Sequence, residues 1–195
     1  MGDILVVLAP GAEEIETITV ADILVRAKQR VTVASTAAVP MVAGSRGLPL
    51  AAHGLLDAAL GRDYDCVYLP GGMGSAITCR DDVRIQDLAE RQLAAGRVLA
   101  VICACPIALI PRRLCAGRAL TSHPSVRAQV ETHARSWRDQ AVVIDGNLVT
   151  SQGAGTALAL ALALARLLAG DDVARQIALD IVAADAVFAA ATPPA

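Results

Sequence analysis

The sequence predicts a doubly wound α/β fold, in which helices cover both faces of a mostly parallel sheet. Three observations support this prediction. Short apolar strand candidates alternate with longer helical stretches. The strand candidates are apolar at consecutive positions, which is typical of strands buried on both faces. The chain has 195 residues, of which 55% are hydrophobic, so it can fill one core but not two ordinary ones. We therefore expect a single domain over residues 1–195.

The predicted elements follow one another in strand and helix order. Strands are predicted over residues 4–9, 31–34, 66–69, 98–102 and 148–150. Helices are predicted over residues 13–27, 82–95, 157–169 and 171–182.

Three further segments need separate arguments. Residues 157–164 alternate Ala and Leu with the period of a strand, but both residue types favour helices, so a buried helix is predicted. Residues 41–50 contain two short apolar arms around Gly-Ser-Arg-Gly, which predicts a hairpin at the sheet edge and a possible dimer contact. Residues 189–195 end in Thr-Pro-Pro-Ala and are expected to fray.

Composition and charge argue against several functional classes. Seventeen basic and nineteen acidic residues with 2% aromatics offer neither a basic patch nor stacking rings, so nucleic acid is not an expected partner. The apolar run 157–169 contains Arg166 and is shorter than the roughly 20 residues that span a membrane, so no membrane association is expected. The apolar residues 4–9 are not preceded by the basic region of a signal peptide, and the five cysteines lack CxxC spacing. These features favour reduced thiols and a cytoplasmic protein.

Cys103 lies where a buried strand should turn into a helix. The apolar run 98–102 precedes it, and Pro106, which is tolerated in a first helical turn, follows shortly after. We expect Cys103 beside a helix N-terminus, where free backbone N–H groups favour the thiolate and lower the cysteine pKa. A buried core cysteine is the alternative, since free Cys is among the most buried residue types. The residue alone leaves both interpretations open.

Glu16 is expected to point into the core. Its helical neighbours at i+4, i+7 and i+8 are apolar, whereas the polar arc of that helix holds Thr19, Asp22 and Arg26. A carboxyl group in apolar surroundings has a raised pKa, so Glu16 could hold or move a proton near neutrality. The alternative is an acidic residue that is favoured by the helix dipole in the first turn.

Two glycines after the third strand candidate allow two interpretations. Gly71 and Gly72 are explained by a tight turn alone, or they present a backbone N–H to a developing oxyanion. In the second case the N–H of Ala104 is the other donor. Ligands of parallel α/β sheets bind outside the carboxyl ends of the strands, where all three residues are expected.

His123 and Cys105 complete the list of candidates. His123 follows the short apolar segment 119–121, and its imidazole either caps the next turn or takes part in the site. Cys105 is too close to Cys103 for a comfortable disulfide if a helix begins between them. No nearby His or acid pair completes a metal site with these cysteines, so we expect no bound metal.

Five segments, in this order and spacing, resemble the ThiJ/PfpI superfamily over nearly the whole chain. They are GAEEIET at residues 11–17, LPGG at 69–72, VICACP at 101–106, HP at 123–124 and LVTSQGAGTA at 148–157. The chain is most similar to the branch that contains bacterial YajL and the parkinsonism-associated protein deglycase. This resemblance implies a flavodoxin-like three-layer α/β sandwich, a homodimer, and no metal or organic cofactor.

The resemblance also implies roles for individual residues. Cys103 matches the oxidisable nucleophilic cysteine of the family, Glu16 the protonated glutamate that hydrogen-bonds it, and His123 the nearby histidine. Gly72 and Ala104 match the positions of oxyanion-binding amides, with Gly71 adjacent. More weakly, two arginines match positions near the subunit interface, namely Arg26 and Arg46.

The departures from related groups restrict the predicted activity. Superfamily peptidases place His directly after the nucleophile, where this chain has Ala104, so proteolysis is not expected. Class I glutamine amidotransferases have a glycine two residues after the cysteine and an acid two residues after the histidine. This chain has Cys105 and Ser125 at those positions. Cys105 is also unusual within the branch, and it leaves open a second oxidation site.

Two functions remain compatible with these residues. One is a glyoxalase or deglycase that acts on small reactive carbonyls such as methylglyoxal, glyoxal and their early adducts. The other is a non-enzymatic sensor of oxidative stress, or a redox-regulated chaperone, that uses the same oxidisable cysteine.

Overall fold

A computed structural model gives the structure of the chain and describes residues 1–191. Its eleven strands within that range are β1 (Asp3–Leu8), β2 (Arg30–Ser35), β3 (Met41–Ala43), β4 (Pro49–Ala51), β5 (Gly54–Leu55), β6 (Cys66–Leu69), β7 (Val98–Ile102), β8 (Ala119–Leu120), β9 (Ser136–Trp137), β10 (Val142–Asp145) and β11 (Leu148–Ser151). All five predicted strands are present. Each boundary lies within one residue of its prediction.

The described helices are α1 (Glu14–Arg26), α2 (Met73–Asp81), α3 (Val83–Ala94), α4 (Arg127–Val130), α5 (Ala157–Ala169), α6 (Asp171–Asp180) and α7 (Asp185–Ala190). The four predicted helices correspond to α1, α3, α5 and α6. Helix α5 confirms that residue propensity outweighs the alternating pattern of Ala and Leu. The expected fraying of residues 189–195 concerns in part residues outside the described range, and Ala190 itself ends a helix.

Seven strands form one sheet in the order β10-β11-β7-β6-β1-β2-β5. Every neighbouring pair is parallel except β10 and β11, which form an antiparallel hairpin at one edge. Strands β2, β1, β6, β7 and β11 have the 2-1-3-4-5 order that is typical of flavodoxin-like folds. The predicted α/β class and its flavodoxin-like topology are therefore confirmed.

Alternate residues of the central strands pack against helices on opposite faces of the sheet. In β1, Leu5 and Val7 pack with residues of α2 and α3, whereas Ile4 and Val6 pack with residues of α1 and α5. All four side chains are fully buried. Because successive side chains of a strand point to opposite faces, this two-sided burial creates the three layers of the sandwich.

The predicted hairpin at residues 41–50 is formed, but its predicted place at the edge of the main sheet is wrong. Strands β3 and β4 pair only with each other and form a separate two-stranded sheet. Hydrogen bonds of 2.8 Å from Gly11 N to Ala43 O and from Ser45 N to Ala12 O hold this hairpin against the loop after β1. These bonds pair backbone N–H and C=O groups of the hairpin with the loop, so the hairpin does not need the edge of the main sheet as a partner.

The segment after Cys103 also differs from the prediction. A 3₁₀ helix over Cys105–Leu109 follows β7, and Pro106 lies in its first turn. The proline position agrees with the sequence argument, since its missing N–H is not needed there. The helix itself is short and tightly wound rather than a regular α-helix.

None of the helices within residues 1–191 is both long enough and apolar enough to cross a bilayer.

Candidate active site

The candidate residues meet at the carboxyl end of the parallel sheet. Glu16 lies in the first turn of α1, just after β1, and Gly71 and Gly72 follow β6. Cys103 follows β7, and Gly153 follows β11. Because parallel strands end at the same edge, four separate chain segments contribute to one small region.

Cys103 occupies a sharp turn between β7 and the 3₁₀ helix. Its φ of 63° lies in the left-handed region, which is unusual for a residue with a side chain. The Cys103 N–H donates to Ser151 O at 3.0 Å, and its carbonyl oxygen accepts from His123 N at 2.8 Å. These two bonds hold the strained conformation, in which the side chain is only partly buried.

Glu16 is fully buried, as its helical position predicts. Its Oε2 accepts a hydrogen bond of 2.9 Å from Gly71 N, whereas its Oε1 has no hydrogen-bond partner among the described residues. A buried carboxylate oxygen without a donor is costly, so this arrangement favours the neutral acid. Burial raises the pKa of Glu16 to about 7; the Cys103 thiol and the Gly71 amide oppose that increase, and the Glu13 charge adds to it.

The position of Glu16 depends on its neighbours in the first turn of α1. The carboxylate of Glu13 accepts from Glu16 N at 2.8 Å and caps the helix. The phenol of Tyr68 in β6 donates to Glu16 O at 3.1 Å. These bonds join the start of α1 to the sheet and direct the Glu16 side chain toward Cys103.

Gly71 and Gly72 allow the backbone to pass close to the acid and the thiol. A Cβ added at Gly71 would lie 2.5 Å from Cys103 Cβ and would also collide with Glu16 Oε2. Gly72 has a φ of 87°, and an added Cβ there would collide with Gly11 O. The tight turn therefore requires glycine at both positions, at Gly72 also because of its positive φ.

The amides of the turn have different partners. Gly71 N donates to Glu16. The N–H groups of Gly72 and Ala104 lie near the sulfur of Cys103 and act to lower its pKa. Burial, followed by the charge of Glu16, raises the pKa of Cys103 to about 11 despite these amides. The expectation of a lowered cysteine pKa is wrong here, because desolvation and a neighbouring carboxylate outweigh the amide donors.

His123 lies at the solvent side of the site. Its Nδ1 lies 2.8 Å from Ser125 Oγ and accepts a 3.2 Å hydrogen bond from Ser125 N, so the imidazole caps the turn that follows. A Cβ added at Gly153 would lie 3.4 Å from His123 Cδ2 and 3.9 Å from Cys103 Sγ. The ring and the sulfur therefore border the same space, and because Nδ1 accepts from Ser125 N, the neutral ring carries its proton on Nε2.

Gly153 and Ser125 are site residues that the sequence argument did not single out. Gly153 lies between the ring and the sulfur, and it also borders an open cavity of about 380 Å³ that His123 and Gln152 help to line. A glycine directly after a predicted strand, at the carboxyl edge, is the signal that could have identified it. Ser125 had no comparable signal, because its contact depends on the tertiary position of His123.

The two arginines that the resemblance connects with a subunit interface contact residues of α1. Arg26 pairs with Asp22 across one helical turn at 2.8 Å, and both side chains are about half exposed. The backbone N–H of Arg46 donates to Glu14 at 2.7 Å in the hairpin turn. Within residues 1–191, no group of three or more His, Cys, Asp or Glu side chains is placed to hold a metal ion.

The fold and this arrangement define a class, the flavodoxin-like α/β proteins with a cysteine on a sharp turn after a central strand and a buried acid beside it. Comparison with protein-family models matches residues 3–167 to the DJ-1/PfpI family. The chain belongs to this family, as the sequence resemblance implies.

Individual relatives agree with this assignment. The chain is 38% identical over 180 residues to protein dj-1beta of Drosophila melanogaster, covering 92% of this chain and 96% of the relative. The crystal structure of Drosophila DJ-1beta superposes with a TM-score of 0.90, over 93% of this chain and 98% of that chain. A structure described as Toxoplasma gondii DJ-1, oxidized, has a TM-score of 0.89 at 32% identity, with coverage of 93% and 98%.

One relative has a name that states an activity. Glutathione-independent glyoxalase DJR-1.2 of Caenorhabditis elegans is 33% identical over 171 residues, covering 86% of this chain and 89% of the relative.

Proposed function

We propose that the chain is a cofactor-independent enzyme of the glyoxalase or deglycase type, which converts methylglyoxal, glyoxal and their early adducts to hydroxy acids. One observation carries the proposal: the buried acid Glu16, whose pKa is raised to about 7, and the partly exposed Cys103 border the same point of the turn at Gly71. The name of the C. elegans relative supports the same chemistry.

In the first step, the thiolate of Cys103 adds to the aldehyde carbon and forms a hemithioacetal. The Glu16 carboxyl donates its proton to the oxygen that becomes negative, and the amides of Gly72 and Ala104 stabilise that charge. An ionised Glu16 would disfavour the thiolate, so the reactive pair combines a protonated Glu16 with an ionised Cys103. The two groups share one proton and titrate as a unit.

In the second step, Glu16 moves a proton between adjacent carbons. The carboxylate left by the first step removes the proton of the former aldehyde carbon, and the resulting enediol is reprotonated at the neighbouring carbon. The imidazole of His123 can donate from Nε2 to the second oxygen. The product is a thioester of a hydroxy acid on Cys103, and water hydrolyses it to regenerate the thiol.

A turnover assay tests this proposal. Proton NMR should show lactate formed from methylglyoxal by the wild-type protein without added thiol, and no lactate from Cys103→Ser. The matched control is Cys115→Ser, which changes a buried cysteine in the loop after the 3₁₀ helix. This variant should keep wild-type turnover. Lactate formation by Cys103→Ser at a rate similar to that of the control would refute the enzymatic proposal.

A second candidate function is a sensor of oxidative stress. Cys103 is partly exposed, and the backbone amides of Gly72 and Ala104 near its sulfur would also stabilise an oxidised, negatively charged form. The structure of a Toxoplasma gondii relative that is described as oxidized supports this second function. If it is correct, peptide mass spectrometry after mild peroxide treatment should find the first oxidation event at Cys103, and oxidation that begins at Cys115 would exclude it.

We further propose that the chain acts in the cytoplasm as a homodimer. An apolar stripe of Ile15, Ile18 and Val25 lies on the outer face of α1, and each of these side chains is more than half exposed. Leu48 of the hairpin is 59% exposed and lies beside α1, because Leu48 N hydrogen-bonds Glu14. A second copy of the chain would cover this surface.

A further inference from the structure

Two cysteines that take no part in the proposed carbonyl chemistry belong to the hydrophobic cluster against which Cys103 packs. Cys79 belongs to α2 and Cys105 to the 3₁₀ helix, and both side chains are fully buried in one hydrophobic cluster. Helix α2 packs directly against the 3₁₀ helix, and the Cys79 thiol lies close enough to Cys105 to raise the pKa of Cys105.

The elements that carry this pair are fixed to each other. Nε2 of Gln86 donates to Cys79 O at 2.7 Å and to Ala108 O at 2.9 Å, so one side chain joins α2 to the 3₁₀ helix. Gln86 is itself buried. Gln86 therefore fixes the backbone of Cys79 relative to the 3₁₀ helix that carries Cys105.

Of these three cysteines, Cys103 is the one that solvent reaches. It is partly exposed, and its side chain packs against the cluster that contains both buried cysteines. Cys105 is only two residues further along the turn, so the two Cα atoms are at most about 7 Å apart. A soluble oxidant reaches Cys103 directly but reaches the fully buried pair only after the structure opens.

We propose that Cys79 and Cys105 form a resolving dithiol, which reduces Cys103 after a hydroperoxide has oxidised it and which closes as a buried disulfide. The protein would thereby have a peroxide-reducing activity that shares Cys103 with the proposed carbonyl chemistry but uses a different substrate. The activity also protects Cys103 from irreversible oxidation to sulfinic acid.

The reaction has three balanced steps. The Cys103 thiol reacts with the hydroperoxide to give Cys103 sulfenic acid and an alcohol, or water when the oxidant is hydrogen peroxide. The thiol of Cys105 then forms a disulfide with Cys103, and its proton leaves with the sulfenic hydroxyl as water. Finally the Cys79 sulfur attacks the Cys105 sulfur, forms the Cys79–Cys105 disulfide and releases the Cys103 thiol.

The order of these steps follows from burial and geometry. Cys105 is fully buried, so peroxide reaches the partly exposed Cys103 first, and the sulfenic acid forms only two residues away from the Cys105 thiol. A disulfide between residues two apart in a tight turn is strained, which makes it easy to displace. The neighbouring Cys79 thiol is positioned to relieve that strain.

The test treats reduced protein with one equivalent of hydrogen peroxide and maps the products by mass spectrometry without reduction. In the wild type, the expected product is a Cys79–Cys105 disulfide with Cys103 still open to alkylation. Cys105→Ala and Cys79→Ala should instead accumulate Cys103 sulfinic acid at least tenfold faster than the wild type. Cys66→Ala, which removes a buried cysteine from the opposite core, should behave like the wild type.

Two results would overturn the proposal. One is a Cys79–Cys105 disulfide that forms as fast in Cys103→Ser as in the wild type, because the buried pair would then be oxidised without Cys103. The other is equal accumulation of Cys103 sulfinic acid in the wild type and in Cys105→Ala. Cys79→Ala and Cys105→Ala should convert methylglyoxal at the wild-type rate. That result would show that both variants are folded, and it would separate this proposal from the carbonyl chemistry.

Discussion

At the scale of single residues, the site depends on where one proton is held. Burial raises the pKa of Glu16 to about 7, and the adjacent Cys103 is more acidic when Glu16 is neutral. The inward direction of Glu16 was predictable, since Val20, Ile23 and Leu24 follow it on one helix face. The raised cysteine pKa was not predictable, because it depends on desolvation by the surrounding elements.

The raised pKa of Glu16 predicts a specific dependence of stability on pH. The folded-state pKa of about 7 exceeds the unfolded value of 4.5, so the folded state binds more protons between these pH values. The free energy of unfolding should therefore fall as pH rises through this interval, and Glu16 should account for about 3 kcal/mol of that fall. Urea unfolding at about pH 5 and about pH 8 measures the difference.

The comparison that isolates Glu16 uses two variants of α1. Glu16→Gln cannot ionise, so it should lose most of this pH dependence, whereas Asp22→Asn on the exposed face should keep it. An unchanged pH dependence in Glu16→Gln would show that another group is responsible.

At the scale of elements, the turn after β6 brings the backbone amides to the cysteine. Gly72 begins α2 with a positive φ, and its close contact with Gly11 O joins the turns after β1 and β6. The glycine pair was visible in the sequence, but α2 itself was not predicted, because the segment MGSAITCRD has neither a clear apolar face nor a capping side chain. Packing against the 3₁₀ helix stabilises it instead.

Gly72→Ala should destabilise the protein by roughly 1–3 kcal/mol, since alanine is strained at this φ and its Cβ collides with backbone. Gly61→Ala is the matched control, because no atom lies within 4 Å of an added Cβ there and its φ is not positive. That variant should change stability by less than about 0.5 kcal/mol. Denaturant unfolding of the two variants is the measurement, and equal stabilities would contradict the close contact at Gly72.

At the scale of the whole molecule, the sheet was largely predictable and the accessory parts were not. The central strands β1, β6 and β7 carry apolar runs, for which burial on both faces is the simple explanation. The hairpin of β3 and β4 was predicted locally, but its docking on the loop after β1 depends on long-range hydrogen bonds. The same hairpin extends the apolar surface of α1, which we propose as a dimer interface.

Ile18→Lys should weaken the proposed dimer, because it places a charge in the middle of the apolar stripe on α1. The matched control is Val83→Lys at the start of α3, since Val83 is 61% exposed and Ile18 is 56% exposed. Sedimentation velocity should show the wild type and the control as dimers, with Ile18→Lys shifted at least tenfold toward monomer. A monomeric wild type, or equal association of both variants, would contradict the interface.

The central claim is that Glu16 carries a proton between the two carbons of a substrate bound to Cys103, and NMR of lactate formed from methylglyoxal in deuterium oxide tests it most directly. A proton that passes through an exchangeable carboxyl group should appear partly as deuterium at the second carbon of lactate. Glu16→Gln should form lactate at least 100-fold more slowly than the wild type. Lactate with only protium at that carbon, or wild-type turnover by Glu16→Gln, would contradict the account.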